Sequence, residues 1–244
     1  EGLYVAFPFA WPGGKIVYEA QGGTINPGEN QIHHSASDWQ AVQNFAAVRS
    51  DAGQIIWGSL GIPLVQFGDL NCGKWQPAAK IDRPHIYSWP MNNYWYTNFS
   101  ATQQGQFKWS YYLTSTADAS NAAATRFGWG SQVPLVARVL PPVRADHSNS
   151  AAGTLASLLK CDAVNLLLVE ARPAWHSPGV ILHWREVEGQ PAVLDLGNQP
   201  FAGRVKSADE VNVIEEPLQA GIKTVADIKV GDTVEAGKRE TVTV

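Results

Sequence analysis

Short runs of β-branched and aromatic residues, cut at close intervals by Gly, Pro, Asn and Asp, recur along nearly the whole chain and leave room for little besides strands. They fall at Leu3–Phe9, Lys15–Ala20, Ala41–Val48, Gln54–Leu60, Pro63–Phe67, His85–Trp89, Gln106–Thr116, Val133–Val139, Asn165–Ala171, Val180–Glu188 and Glu210–Ile214. The longest is QFKWSYYLTST at Gln106–Thr116. One stretch reads as helix: Asp118 or Ser120 supplies a cap for Asn121–Phe127, and Gly128 is placed to end it. Many strands, one helix and frequent turn signals predict an all-β sandwich.

A chain of 244 residues can bury a substantial core, as one large domain or two smaller ones. With 45% hydrophobic and 16% charged residues it is globular, and its net charge of −4 gives no electrostatic footprint for nucleic acid or an anionic membrane. No apolar stretch has the length of a membrane span; Leu166-Leu167-Leu168-Val169 is a buried-strand run that stops at Glu170. Cys72 and Cys161 are far apart, neither stands in a CxxC spacing, and both are expected to be free and buried. No signal peptide is visible ahead of the strand-like Leu3–Phe7, so the chain reads as beginning in mid-protein, and nothing in it assigns a compartment.

The polar, Pro- and Ser-containing stretch Pro141–Gly153 separates two strand-rich parts. The boundary is therefore expected near residue 152, with a larger sandwich at 1–152 and a smaller one at 153–244.

Ser88 to Phe99, SWPMNNYWYTNF, sets two asparagines among aromatic rings in a chain with ten Trp and one Met. Aromatic faces pack on the C–H surface of a pyranose while Asn amides serve its hydroxyls, so the mixture suits a sugar. It equally suits a sandwich core whose Trp and Tyr need polar anchors. The segment resembles the MNNYW-type signature of the C-terminal β-domains of family-38 glycoside hydrolases, the α-mannosidase family. Further pieces resemble that region in the same order: LYVAFPFA at Leu3–Ala10 with Pro12-Gly13-Gly14, DWQAVQNF at Asp38–Phe45, PLVQFGD at Pro63–Asp69, AAATRFGW at Ala122–Trp129 and NLLLVEARPAWHSPGVILHWREV at Asn165–Val187. The last fifty or so residues match only in general character.

The resemblance implies that residues 1–152 are the later part of a mutarotase-like supersandwich and 153–244 a small immunoglobulin-like sandwich. It also implies a parent enzyme that hydrolyses α-mannosidic bonds with retention. An N-terminal barrel would supply the Asp nucleophile, the carboxylic acid and a zinc ion. This chain holds no counterpart of that barrel, so no catalytic residue, no metal ligand and no cofactor is expected in it. Its implied partner is the barrel of the same polypeptide, and carbohydrate is the candidate ligand. Asn92, Asn93, Tyr94 and Trp95 are the first candidates for a carbohydrate rim, with Asp38 and Trp39 second. The competing role for all six is to stitch sheets or domains together, since buried Asn amides are ordinarily hydrogen-bonded.

Retaining hydrolysis needs two carboxyl groups about 5 Å apart. No spacing among the 22 acidic residues singles out such a pair; Glu186 and Glu188 share a strand face and read as a solvated edge. His33-His34 would point to opposite faces of a strand and reads as loop, whereas His176 and His183 flank Ser177-Pro178-Gly179 without a third ligand. Trp11-Pro12-Gly13-Gly14 and Gln21-Gly22-Gly23 read as turns. Asn98-Phe99-Ser100 fits the glycosylation acceptor pattern but belongs to the aromatic run. Two other functions stay open. A free-standing carbohydrate-binding module would expose a platform drawn from Trp57, Trp75, Trp89 and Trp109; a structural interaction domain would expose an apolar patch.

Overall fold

The computed structural model describes residues 2–35, 37–71, 74, 79–92, 102–138, 157, 159–194, 209–216, 233–234 and 241–243. The fold is all-β with one helix among these residues, and the chain forms two compact units, Glu1–Pro134 and Leu135–Val244. The stretch 141–153, where the sequence suggests a linker, lies outside the described residues.

The first unit contains β1 (Gly2–Pro8), β2 (Lys15–Ala20), β3 (Gly23–Ile25), β4 (Gln40–Ala41), β5 (Ala46–Ser50), β6 (Gly53–Leu60), β7 (Leu64–Phe67), β8 (His85–Asn92), β9 (Ser110–Thr116) and α1 (Asn121–Gln132). The strands form a four-stranded sheet, β1-β8-β7-β4, and a five-stranded sheet, β3-β2-β5-β6-β9, with every pairing antiparallel.

Burial explains why β2 is apolar at consecutive positions. Ile16 and Tyr18 join Ala46, Val48 and Trp57 in a core shared with Val65, Phe67 and Ile86 of the four-stranded sheet. Val17 turns the other way, to Phe45, Ala47, Ile56 and the α1 residues Ala124 and Phe127. The central sheet is thus covered on both faces, which calls for continuous apolar runs rather than alternation. Fully burying one such side chain contributes about 1.5–3 kcal/mol.

Helix α1 starts where its cap chemistry allows: the Ser120 hydroxyl accepts from the Ala123 N–H at 3.1 Å, and the Asp118 carboxylate accepts from the Ser120 N–H at 2.9 Å. Hydrogen bonds to Ser120, helped by Arg126 and Arg49, hold the Asp118 carboxyl below its ordinary range despite some desolvation. Gly128 does not end the helix, which runs on to Gln132. It serves packing instead, because a Cβ there would meet the Phe45 Cβ at 2.9 Å and the Asn44 backbone at 3.2 Å.

Other expectations need correction. Val133–Arg138 forms no strand, and Val133, Leu135 and Val136 are exposed. The Ala41–Val48 run breaks into β4 and β5, since Val42 and Gln43 donate to the Pro63 and Glu19 carbonyls outside any regular ladder. The strand expected from Gln106 begins only at Ser110, and the short β3 was not foreseen.

In the second unit, β10 (Leu166–Pro173) and β11 (Val180–Glu186) form a hairpin, and β12 (Ala192–Val193), β13 (Asp209–Val211), β14 (Thr233–Val234) and β15 (Thr241–Thr243) follow. The order β10-β11-β15-β13 makes one sheet, and β12 pairs with β14. Leu166, Leu182, Trp184 and Ala192 form its core, with Cys161 packed against it. The half-buried Cys161 Sγ lies 3.6 Å from the Ala163 carbonyl, and Cys72 lies outside the described residues.

Candidate functional site

The site is built on the four-stranded sheet, on the face turned away from the core. Val65 and Phe67 of β7 point into the core, so alternation sends Gln66 to the opposite face. Tyr87 of β8 stands opposite Gln66, and Ala6 of β1 stands opposite Tyr87. Ser88 receives the Tyr111 hydroxyl on the core side at 3.2 Å, which turns Trp89 outward beside Tyr87. Gln40 also points inward, accepting from the Tyr18 hydroxyl at 2.8 Å, so its neighbour Trp39 turns outward.

The outward-turned rings of Tyr4, Trp89 and Trp39 pack on one another, with Trp89 itself buried at 5% exposure. Trp89 stacks on Tyr4 with centroids 5.1 Å apart and lies 5.6 Å from Trp39. His85 Nδ1 lies 3.3 Å from the Tyr87 hydroxyl on the same strand. Gly2 is required at the end of β1, because a Cβ there would stand 2.6 Å from Trp89 Nε1.

Polar atoms on and beside this face are unevenly satisfied. Gln66 is 0% exposed, yet neither its Nε2 nor its Oε1 has a hydrogen-bond partner. Gln40 Oε1 takes two donors, Tyr18 and the Gln31 amide at 2.7 Å, while its Nε2 has none. Asp38 is buried with Oδ1 unpartnered, and burial raises its carboxyl above the ordinary range. Burial likewise raises the Tyr18 hydroxyl. A fully buried amide with no protein partner is uncommon in native folds and calls for strain, an internal water or a polar group from outside the chain to account for it.

Of the six rim candidates, Trp39 lies at this face against Trp89, Asp38 is buried just ahead of β4, and Asn92 ends β8 as an exposed residue opposite Gly2. Asn93, Tyr94 and Trp95 lie outside the described residues, as does the Asn98-Phe99-Ser100 pattern. Gln66, Tyr87 and Tyr4 were not foreseen as members. The signal was present, because a Gln alternating with Val65 and Phe67 in PLVQFGD must leave the core face.

The other expected groups have structural settings. Trp57 is 0% and Trp89 5% exposed, so neither can serve an exposed sugar platform; Trp109 is half-buried against Phe107, and Trp75 lies outside the described residues. Glu186 is no solvated edge: its carboxylate accepts from the Asn165 amide at 2.8 Å and from the Glu188 and Gly189 N–H groups at 2.7 Å, closing the turn after β11. His33 and His34 sit in a turn with ring centroids 3.9 Å apart. His176 lies in the β10–β11 turn, and His183 stands on β11 opposite Glu170. Among the described residues no three His, Cys, Asp or Glu side chains gather as a metal site would need, and no helix is long and apolar enough to cross a membrane.

No protein-family model and no curated protein matches the sequence. The fold, however, is similar to that of an α-mannosidase from Enterococcus faecalis V583, with a TM-score of 0.64 and 14% identity over 98% of this chain and 25% of that one. A protein in the glycosyl hydrolase family 38 from Enterococcus faecalis gives a TM-score of 0.62 at 14% identity, covering 98% of this chain and 26% of that one. The chain thus spans about a quarter of the length of the structures it matches.

Proposed function

We propose that this chain is the C-terminal, non-catalytic portion of an α-mannosidase-type glycoside hydrolase, and that its partner is the N-terminal catalytic barrel of the same polypeptide. The observation that carries this is the extent of the likeness: nearly all of the chain follows the fold of one quarter of an α-mannosidase. In this assignment the larger part is the later portion of a mutarotase-like supersandwich and the smaller an immunoglobulin-like sandwich, meeting near residue 152. The outer face of β1-β8-β7-β4, with Trp39, Asn92 and the adjoining Asn93, Tyr94 and Trp95, rims the carbohydrate cleft. In this assignment zinc is a part of the barrel.

This chain's share of the chemistry is positional. Aromatic rings fix a pyranose by its C–H face and exclude water, while amides select its hydroxyl pattern. Proton transfer and nucleophilic attack need a carboxyl pair held about 5 Å apart, which falls to the barrel.

The test uses the chain alone and the polypeptide carried upstream of Glu1 through a barrel. Alone, it is expected to give no turnover of an aryl α-mannoside, and the longer polypeptide is expected to be active. In that polypeptide, Trp39→Ala and Asn93→Ala should each lower kcat/KM roughly tenfold, as for the loss of a rim contact worth about 1–2 kcal/mol, with little change in Tm. Chelator-sensitive turnover by the chain alone, or full activity in both variants, would overturn the assignment.

A further inference from the structure

Trp175 is the one exposed tryptophan among the eight that the structure describes, with 66% of its surface open to solvent. It sits in the loop 174–179 that joins β10 to β11, just beyond the last rung, Pro173 opposite Val180. An exposed indole forfeits the burial that ordinarily repays its size. This one is nevertheless held firmly. The Arg172 guanidinium lies over the ring, 4.3 Å from its centroid, and is itself bonded to Glu215 Oε1 at 2.5 Å, the Pro173 carbonyl at 3.1 Å and Glu170 Oε2 at 3.3 Å.

Glu215 ties ring and backbone together. Its side chain is 5% exposed, and Oε2 accepts from the Trp175 N–H at 2.7 Å. Burial pushes the carboxyl up, but the bonds from Arg172 and from the Trp175 and His176 N–H groups, with the Arg172 charge, outweigh it and hold the carboxyl below its ordinary range. The carboxylate is therefore charged at neutral pH. Glu215 adopts a left-handed φ of 65°, in a turn where Asn212 Oδ1 accepts from the Ile214 and Glu216 N–H groups at 3.0 Å. Three elements thus converge to orient a ring that carries Arg172 on one face and the His176 ring 6.5 Å away, edge to face, and that still leaves most of its surface open.

We infer that Trp175 is a saccharide-stacking platform, a second carbohydrate site on the smaller unit, whose open indole face takes the C–H face of a neutral pyranose. One face already serves Arg172, which disfavours a cationic ligand on the other. The guanidinium is committed to Glu215 and Glu170, which leaves little to recruit an anion. What fits is a neutral ring with hydroxyls at its edge, for which Glu170, half-exposed, and the exposed His176 and Ser177 stand nearby in the hairpin. The exposed Val213 and Ile214 on the turn that carries Glu215 would instead favour an apolar protein surface, which the test below separates.

The experiment follows the indole N–H resonances of the full chain by NMR during titration with methyl α-D-mannopyranoside and methyl α-D-glucopyranoside. Binding on the order of millimolar is expected for a single stacked ring. Trp175→Ala should weaken it at least tenfold with Tm nearly unchanged, and Trp175→Phe, which keeps a flat face, should retain it within about threefold. The Trp175 resonance is followed apart from those of Trp39 and Trp89, so failure of the sheet-face assignment and failure of this one are read separately. No shift of the Trp175 resonance by either sugar at 100-fold the expected range, or equal binding by Trp175→Ala, overturns the inference. So does self-association in sedimentation that Trp175→Ala abolishes while sugar has no effect.

Discussion

Two buried carboxylates, both within the first unit, sit in opposite conditions. Glu19, 3% exposed, accepts from Trp129 Nε1 at 2.9 Å and from the Asn44 amide at 2.8 Å, so one side chain on β2 fastens α1 and the segment before β5. Asp38, 8% exposed, keeps an unpartnered Oδ1 and a raised carboxyl beside Gln40, whose Nε2 is also unmatched. A paired buried charge specifies packing, whereas an unpaired one costs stability where it stands. The contrast separates the satisfied scaffold behind the central sheet from the unsatisfied polar groups at and just before β4.

The largest effect should come from the satisfied side. Glu19→Ala strips the acceptor from Trp129 and Asn44 and leaves a small cavity, so it should cost about 3 kcal/mol and lower Tm by on the order of 10 °C. Trp129→Phe, losing one donor, should cost about half as much. Denaturant midpoints of the two variants check the order. Equal and negligible losses would mean that Glu19 is no lock and would erase the contrast.

Much of this division was legible in the sequence. The strand runs announced an all-β chain, and Ser120 announced the start of α1, because alternation, turn residues and caps are local codes. Gly128 misled for the same reason: locally it is a helix stop, but its missing Cβ is needed against Phe45, a contact 83 positions away that no local rule sees. The family-like motifs raised Trp39 and Asn92 as rim candidates, a role that stays a proposal. They did not point to Gln66, whose significance lies in being fully buried without a partner. Nor did they point to Trp175, because Glu215, which clamps its support, stands 40 residues along the chain.

Gln66 sharpens the unsatisfied side. Gln66→Leu keeps the approximate volume and removes a buried amide that bonds to nothing, so it should stabilise the chain by about 1 kcal/mol, opposite in sign to most core polar substitutions. If the amide is held for a ligand, the same variant should lower kcat/KM in the longer, active polypeptide while raising Tm. A destabilised Gln66→Leu would show that the amide has a partner in solution, and the face would then resemble the Glu19 seam.

The smallest effect, and the most diagnostic, concerns the pH dependence of Asp38. Because burial raises its folded-state pKa above the ordinary 3.8, the folded protein holds this proton more tightly than the unfolded chain. Stability contributed by the protonated form is therefore lost as pH climbs from about 3.8 through the raised value, and the penalty grows toward neutral pH. Asp38→Asn cannot ionise, so it should exceed the parent chain in Tm at pH 7 by about 2 °C. The advantage should shrink toward zero as the buffer approaches the ordinary carboxyl value, where both side chains are neutral. A gap that stays constant across the range would mean that Asp38 does not titrate abnormally. A gap of reversed sign at pH 7 would mean that the carboxylate is used, and the donor it finds in solution would have to be sought among the groups packed beside β4.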